Sequence, residues 1–274
     1  MSRVLVVPTY QEAENVERLI RAVRETAPEL SILIVDDNSP DGTGELAEKV
    51  GIELGRVEVL HRAGKAGLGA AYRHGFRHAL DGGHDVIVQM DADMSHDPAV
   101  LPTLLAAIDD GADVAVGSRY VPGGSVPNWT LFRRTLSHWG NSYARWMLKL
   151  CMNDATTAFR AYRREVLERI DIDGTTANGY LFQIETAFRL SMAGVSVAEI
   201  PITFVDRVAG ASKMAVGRTM VETELRVTWW GLSLRAPGLS NRFRGTGAGR
   251  FLHSKVRPSG IPMPAEHSEP PLDD

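Results

Sequence analysis

The chain has 274 residues, 44% apolar and 23% charged, with a formal net charge of −4, the make-up of one soluble globular domain with an appendage. No uncharged apolar run is long enough to span a bilayer, and a single cysteine, Cys151, excludes an internal disulfide framework. Residues 1–117 carry 10 Lys/Arg and 20 Asp/Glu, whereas residues 118–274 carry 20 and 14. That asymmetry is either ordinary solvated surface or an acidic half that holds a metal beside a basic half that meets anions.

In chain order, Met1-Ser2-Arg3 leads straight into the strand pattern Arg3–Val7, with no signal-peptide layout, so a cytoplasmic chain is expected. Helix Ala13–Thr26, strand Ser31–Val35, helix Gly42–Leu54, strand Val57–His61, helix Gly67–Leu80, strand Val86–Met90, helix Pro98–Asp110 and strand Val114–Ser118 follow. Strand–helix alternation at this spacing predicts a mostly parallel sheet with helices on both faces. Beyond residue 120 the rhythm loosens into helix Leu131–Leu150, a short strand Thr157–Tyr162, helix Tyr180–Ala193 and strand-like Val195–Thr203, where Pro201 argues for an edge. Cys151 reads as a small buried hydrophobe. From Ala236 onward Gly, Pro, Arg and Ser dominate and periodicity vanishes, so residues 1–235 are expected to form the domain and 236–274 a disordered tail.

Chemistry gathers at the ends of three of these strands. After the first come Pro8, Tyr10 and Glu12, a ring and a carboxylate suited to a nucleobase and its polar edge; after the second come Asp36 and Asp37, suited to a ribose or base. After the fourth, Asp91 and Asp93 stand one residue apart, so an extended backbone points both carboxylates the same way. Together they can reach one hard cation, Mg²⁺ or Mn²⁺, bridging to a diphosphate. An isolated Asp-x-Asp is more often a solvated turn; the neighbouring strand ends argue otherwise. Gly64-Lys65-Ala66-Gly67-Leu68-Gly69 matches neither the P-loop nor the dinucleotide fingerprint, having Tyr72 where the latter needs Gly or Ala. His74 and His78 share a helix face, and with no third ligand nearby they read as surface residues rather than a zinc pair.

The strings Val-Pro-Thr-Tyr-Gln-Glu (7–12), Val-Asp-Asp-Asn-Ser-Pro-Asp-Gly-Thr (35–43), Gly-Lys-Ala-Gly-Leu-Gly (64–69), Met-Asp-Ala-Asp-Met-Ser-His (90–96) and Val-Gly-Ser-Arg-Tyr (116–120) resemble the inverting family-2 glycosyltransferases. More narrowly they resemble the polyprenol-phosphate (dolichol-phosphate) mannose synthases, and residues 154–164, 182–185 and Arg207 to Lys213 extend the likeness over about 3–230. The resemblance implies a GT-A fold, a GDP-mannose donor, a polyprenyl-phosphate acceptor and a divalent metal. It places Pro8, Tyr10 and Glu12 at guanine, Val35 and Asp37 at the nucleoside, Asp91 and Ala92 along the donor, and Asp93 on the metal. Some relatives have Gln two residues after the second Asp as a further ligand; here that position is Ser95, a shorter and weaker donor, leaving water or His96 to complete the sphere.

A phosphate acceptor is already an anion and needs no general base, which accounts for the lack of a His-Asp or Cys-His arrangement. The protein must instead hold two repelling anions in line. Arg119, Arg133, Arg207 and Lys213 are the candidate grips, because Arg binds phosphate bidentately. Arg207 and Lys213 flank the turn Gly210-Ala211-Ser212, with Ser212 expected at the acceptor phosphate. Each also has a plain reading as a surface ion pair. The stripe Phe132, Leu136, Trp139, Tyr143, Trp146/Met147 and Leu150, interspersed with Arg133, Arg134, Arg145 and Lys149, suits either a core-packed helix or one lying in a membrane interface. A peripheral enzyme at the cytoplasmic face is expected, with a separate anchoring subunit conceivable and no nucleic-acid partner. Rival readings are a polyprenyl-phosphate glucosyl- or N-acetylglucosaminyltransferase, and a non-catalytic nucleotide-sugar-binding subunit.

Overall fold

The computed structural model describes residues 1–206 and 216–235, with side chains in the last helix from Thr223 on. Strands β1 (Arg3–Thr9), β2 (Ser31–Asp36), β3 (Val57–His61), β4 (Val86–Gln89), β5 (Val114–Ser118), β6 (Arg160–Arg163) and β7 (Val197–Pro201) form one sheet in the order β3-β2-β1-β4-β6-β5-β7. All pairings are parallel except those of β6, which runs antiparallel between β4 and β5. Helices α1 (Ala13–Thr26), α2 (Thr43–Leu54) and α4 (Leu101–Asp109) cover one face around Leu19, Ile20, Leu33's neighbour Ile34 and Leu104. The other face carries α3 (Leu68–Asp81), α5 (Leu131–Leu148), α7 (Tyr180–Met192) and α8 (Val216–Arg235), around Phe76, Tyr162, Phe182 and Trp230. Near-continuous Val/Ile/Leu in β1, β2 and β4 follows from burial on both sides.

The expected alternation is the observed one, and β7 is an edge strand carrying Pro201. Several boundaries move for physical reasons. The helix expected over 98–110 begins as a single tight turn at Pro98–Val100, with Asp97 capping the Ala99 N–H, before α4 proper. Helix α5 stops at Leu148 because Lys149 takes a left-handed conformation, φ 53°. The segment 164–169 forms a short helix, α6, that the sequence reading passed over. Cys151 is exposed in the turn after α5, where its sulfur accepts a hydrogen bond from the Ser191 hydroxyl at 3.3 Å. That corrects the expectation of a buried hydrophobe: the turn faces solvent. His74 is exposed and His78 pairs with Glu58 at 2.7 Å.

The topology fixes where a ligand can enter. From β1 the chain builds outward through β2 and β3, then returns to lay β4 on the other side of β1. The crevice between the C-terminal ends of β1 and β4 is therefore the switch point of the sheet, where open α/β folds bind ligands. Beyond each of β1, β2 and β4 the chain turns through a left-handed non-glycine residue: Gln11 (φ 57°), Asn38 (φ 57°) and Met94 (φ 59°). Side chains other than glycine seldom adopt this conformation, and it clusters where a site demands a particular turn.

Candidate active site

At that switch point lies a cavity of about 480 Å³. Pro8, Tyr10 and Glu12 enter it from β1 and its turn, Asp37 from the end of β2, and Asp91, Ala92 and Asp93 from the end of β4. Lys65, Gly67 and Leu68 line it together with Thr176 to Gly179, which pack against them at Gly67 and Asn178, and Thr223 and Arg226 reach in from α8. The residues expected at the base, nucleoside and metal thus share one cavity, with two exceptions: Ser95 is buried behind Asp93 and does not line it, and neither does Val35. Val35 is fully buried beneath it, packed toward α3, where a Cβ at Gly75 would lie 2.8 Å from the Val35 side chain.

The two carboxylates after β2 divide their labour. Asp36 is spent on the turn: it accepts hydrogen bonds from Thr9 Oγ1 at 2.9 Å, Ser39 Oγ at 2.6 Å and the Ser39 N–H at 2.9 Å. Asp37 faces the cavity and pairs with Arg62. Burial pushes the Asp37 carboxyl above its ordinary value, with Arg62 opposing. The Lys65 ammonium lies 4.1 Å from the centre of the Tyr10 ring, a cation–π contact over an aromatic floor. Glu12 accepts from Asn15 Nδ2 at 2.8 Å, and its own N–H donates to Thr43 Oγ1 at 2.9 Å.

After β4, the Tyr72 hydroxyl donates to Asp91 Oδ1 at 2.6 Å, and Asp93, 6% exposed, accepts from the Ser95 N–H at 3.1 Å. Ser95 Oγ and His96 Nδ1 are buried beside them with no hydrogen-bond partner among the described residues. Burial between Phe159 and Phe204 lowers the His96 imidazole to about 4, against the pull of Asp93, so the ring is neutral at physiological pH. Among the described residues no set of three or more His, Cys, Asp or Glu converges on one point. The wall from Thr176 to Gly179 is held from below by Glu185, which is fully buried and accepts from the Thr176 and Ala177 N–H groups at 3.1 and 2.9 Å. Sequence reasoning missed this wall, Tyr72 and Lys65, although Glu185, four residues before Arg189 in one helix, signals a carboxylate with an internal partner.

The basic candidates fall differently. Arg119 does not line the cavity; its guanidinium forks onto Asp154, Nε to Oδ2 and Nη2 to Oδ1, both at 2.7 Å, with Thr156 Oγ1 also at 2.7 Å. Arg133 lies on the surface, paired to Asp206 at 2.9 Å and stacked 4.2 Å from Trp129. Arg207, Ser212 and Lys213 lie outside the described residues, as does the tail from 236.

A doubly wound sheet whose switch point offers an aromatic floor, carboxylates for a nucleoside and an Asp-x-Asp pair is the layout of a nucleotide-sugar transferase. The model of the family described as "Glycosyl transferase family 2" matches residues 4–171, and the chain belongs to that family. It is 48% identical over 230 residues, 84% of this chain and 86% of the other, to the polyprenol monophosphomannose synthase of Mycolicibacterium smegmatis. It is 46% identical over 241 residues, 88% and 98% of the two chains, to the undecaprenyl-phosphate mannosyltransferase of Micrococcus luteus. Among solved structures it shares its fold with glucosyl-3-phosphoglycerate synthase from Mycobacterium tuberculosis (TM-score 0.56, 20% identity, 85% and 79% of the chains). The mannosyltransferase PcManGT from Pyrobaculum calidifontis in complex with GDP-Man and Mn²⁺ is similar too (TM-score 0.53, 17% identity, 92% and 78%). The protein is a glycosyltransferase with the GT-A architecture expected of it.

Proposed function

We propose that the enzyme transfers mannose from GDP-mannose to a polyprenyl phosphate with inversion, giving a polyprenyl phosphate β-mannose. The observation that carries this is the convergence of Tyr10, Glu12 and Asp37 with Asp91, Ala92 and Asp93 on one switch-point cavity. Guanine offers two adjacent N–H donors on its pairing edge, which a carboxylate such as Glu12 accepts together, while the Tyr10 ring carries the base plane. Uracil presents one N–H between two carbonyls, so the same carboxylate gains one hydrogen bond there instead of two. The mannosyl and polyprenol names of the relatives at 46–48% identity support sugar and acceptor.

The carboxylates of Asp91 and Asp93, opening on one cavity beside the Ser95 hydroxyl, which has no hydrogen-bond partner among the described residues, fit a hard divalent cation, Mg²⁺ or Mn²⁺. When bound, such an ion neutralises charge on the departing diphosphate. This chain's own residues orient the donor: the ring and carboxylates fix the nucleoside, and the Thr176–Gly179 wall shields the sugar end. The acceptor phosphate attacks as the anion it already is. Arg207, Ser212 and Lys213 are proposed as its grips, with Lys65 and Arg226 adding positive charge at the cavity wall. Arg119 is proposed to shape this region through Asp154, and Arg133 to act at the acceptor's approach.

Peripheral membrane contact belongs to the same reading. No helix among the described residues is long and apolar enough to cross a membrane. Helix α5 packs inward through Asn141, Ala144, Met147 and Leu148 and presents Phe132, Trp139 and Trp146 outward, each more than half exposed, amid Arg133, Arg134 and Arg145. Aromatic anchors with basic flanks suit a headgroup boundary.

The test is transfer of labelled mannose from GDP-mannose to a polyprenyl phosphate, with and without chelator, and with UDP-glucose and UDP-N-acetylglucosamine as competing donors. Metal-dependent formation of a β-linked mannosyl lipid is expected. Transfer only from a UDP-sugar, or binding without turnover, overturns the reading.

A further inference from the structure

Tyr72 does not line the cavity but bonds to a residue that does. Helix α3 is pressed onto the sheet at Gly75, where a Cβ would come within 2.5 Å of Val6 and 2.8 Å of Val35. Its N-terminal turn is clamped as tightly: a Cβ at Gly69 would meet the Ala177 carbonyl oxygen at 2.3 Å. Between these two contacts the Tyr72 ring is wholly buried, stacked 5.7 Å from Phe76 and 5.8 Å from Phe182, the latter nearly parallel at 5°. A ring held on both sides leaves its hydroxyl little room to move, and that hydroxyl donates to Asp91 Oδ1 at 2.6 Å.

We propose that Tyr72 is a positioning residue of the donor site: its rigid, buried hydroxyl fixes the plane of the Asp91 carboxylate against which the sugar nucleotide binds. The proposal rests on the reading of Asp91 as a donor residue. A site that must hold a diphosphate and a sugar in line loses rate when a contact group wanders. The buried aromatic stack supplies what a solvent-exposed partner would not: a donor with one available position.

Tyr72→Phe tests this, because it keeps the ring stack and removes only the hydroxyl. The sugar-nucleotide kcat/KM should fall roughly 10- to 100-fold, the range of a hydrogen bond to a charged acceptor, with the acceptor KM unchanged and the fold intact. Sugar-nucleotide affinity is then titrated in the Asp91→Asn background with and without Tyr72→Phe. If Tyr72 acts through Asp91, the second change alters affinity less than roughly threefold there. Full activity of Tyr72→Phe, equal losses in both backgrounds, a matching rise in acceptor KM, or failure of Tyr72→Phe to fold each overturns the proposal. The comparison uses whichever sugar nucleotide the wild type turns over. A donor other than GDP-mannose therefore overturns the donor assignment alone, and a wild type that uses no sugar nucleotide overturns both.

Discussion

Replacing Asp154 with Ala should be among the most destabilising single changes in this protein, and its outcome decides what Arg119 is for. The Asp154 side chain is fully buried and that of Arg119 is 7% exposed. The carboxylate accepts two side-chain hydrogen bonds from the guanidinium, one from the Arg119 N–H at 3.0 Å, and contacts Thr156 from both its N–H and its hydroxyl at 3.3 Å. Its removal strands a buried guanidinium, which costs about 3–5 kcal/mol. For a domain of this size that corresponds to a fall in Tm on the order of 10 °C. Urea unfolding followed by circular dichroism measures the cost directly, and the pair change Arg119→Met with Asp154→Leu should recover much of it. A pH arm adds a signed check. Burial alone would raise the Asp154 carboxyl, but the charge and hydrogen bonds of Arg119, helped by Arg160, outweigh it and hold it below the usual carboxylate range. With the folded value depressed, the stabilisation is present above the unfolded value of about 3.9 and drains away as pH falls below it. The wild-type advantage over Asp154→Ala should therefore narrow on acidification from pH 5. A cost under about 1 kcal/mol, or a gap that stays flat, would refute a tightly committed pair and return Arg119 to the acceptor phosphate.

Asp93→Ala should abolish turnover, raising the barrier by several kcal/mol, while the thermal midpoint holds; transfer within about a factor of ten of wild type counts against its metal role. Glu185→Gln should cost about 1.5–3 kcal/mol, because it removes the charge nearest the buried Arg189, whose contact to Asp171 is longer at 3.7 Å, and weakens the bonds to Thr176 and Ala177, and should raise the donor KM as the cavity wall loosens. Unchanged stability and KM in calorimetry and kinetics would show that the wall holds itself. Trp139→Ser with Trp146→Ser should weaken binding to anionic vesicles in a flotation assay while leaving turnover of a short water-soluble acceptor intact; full vesicle binding would move the anchor elsewhere.

What the sequence discloses and what it hides have separate physical causes. Strand ends are local: an apolar run that breaks into Asp-x-Asp or Pro-x-Tyr-x-Glu announces both its strand and the edge where the polar groups emerge, so most of the cavity's strand-end residues are legible. Pairings across long separations are not. The insertion of β6 between β4 and β5 depends on a return of the chain some forty residues after β5, and nothing in Arg160–Arg163 records its antiparallel sense. Arg119 shows the harder limit. A guanidinium bound for phosphate and one bound for a buried carboxylate look alike in a string of letters. The signal lay in Asp154 instead: it is the one carboxylate in Cys151–Phe159, among small and apolar neighbours, and a charge in such a setting must have an internal partner. Tyr72 and Glu185 carry the same message from the core-facing sides of their helices. In each case a polar group placed where burial is unavoidable marks a residue that holds a neighbour in place. The site is thus built in two tiers: groups at the strand ends that can meet the ligand, and buried partners such as Tyr72 and Glu185 that fix the carboxylate and wall around it.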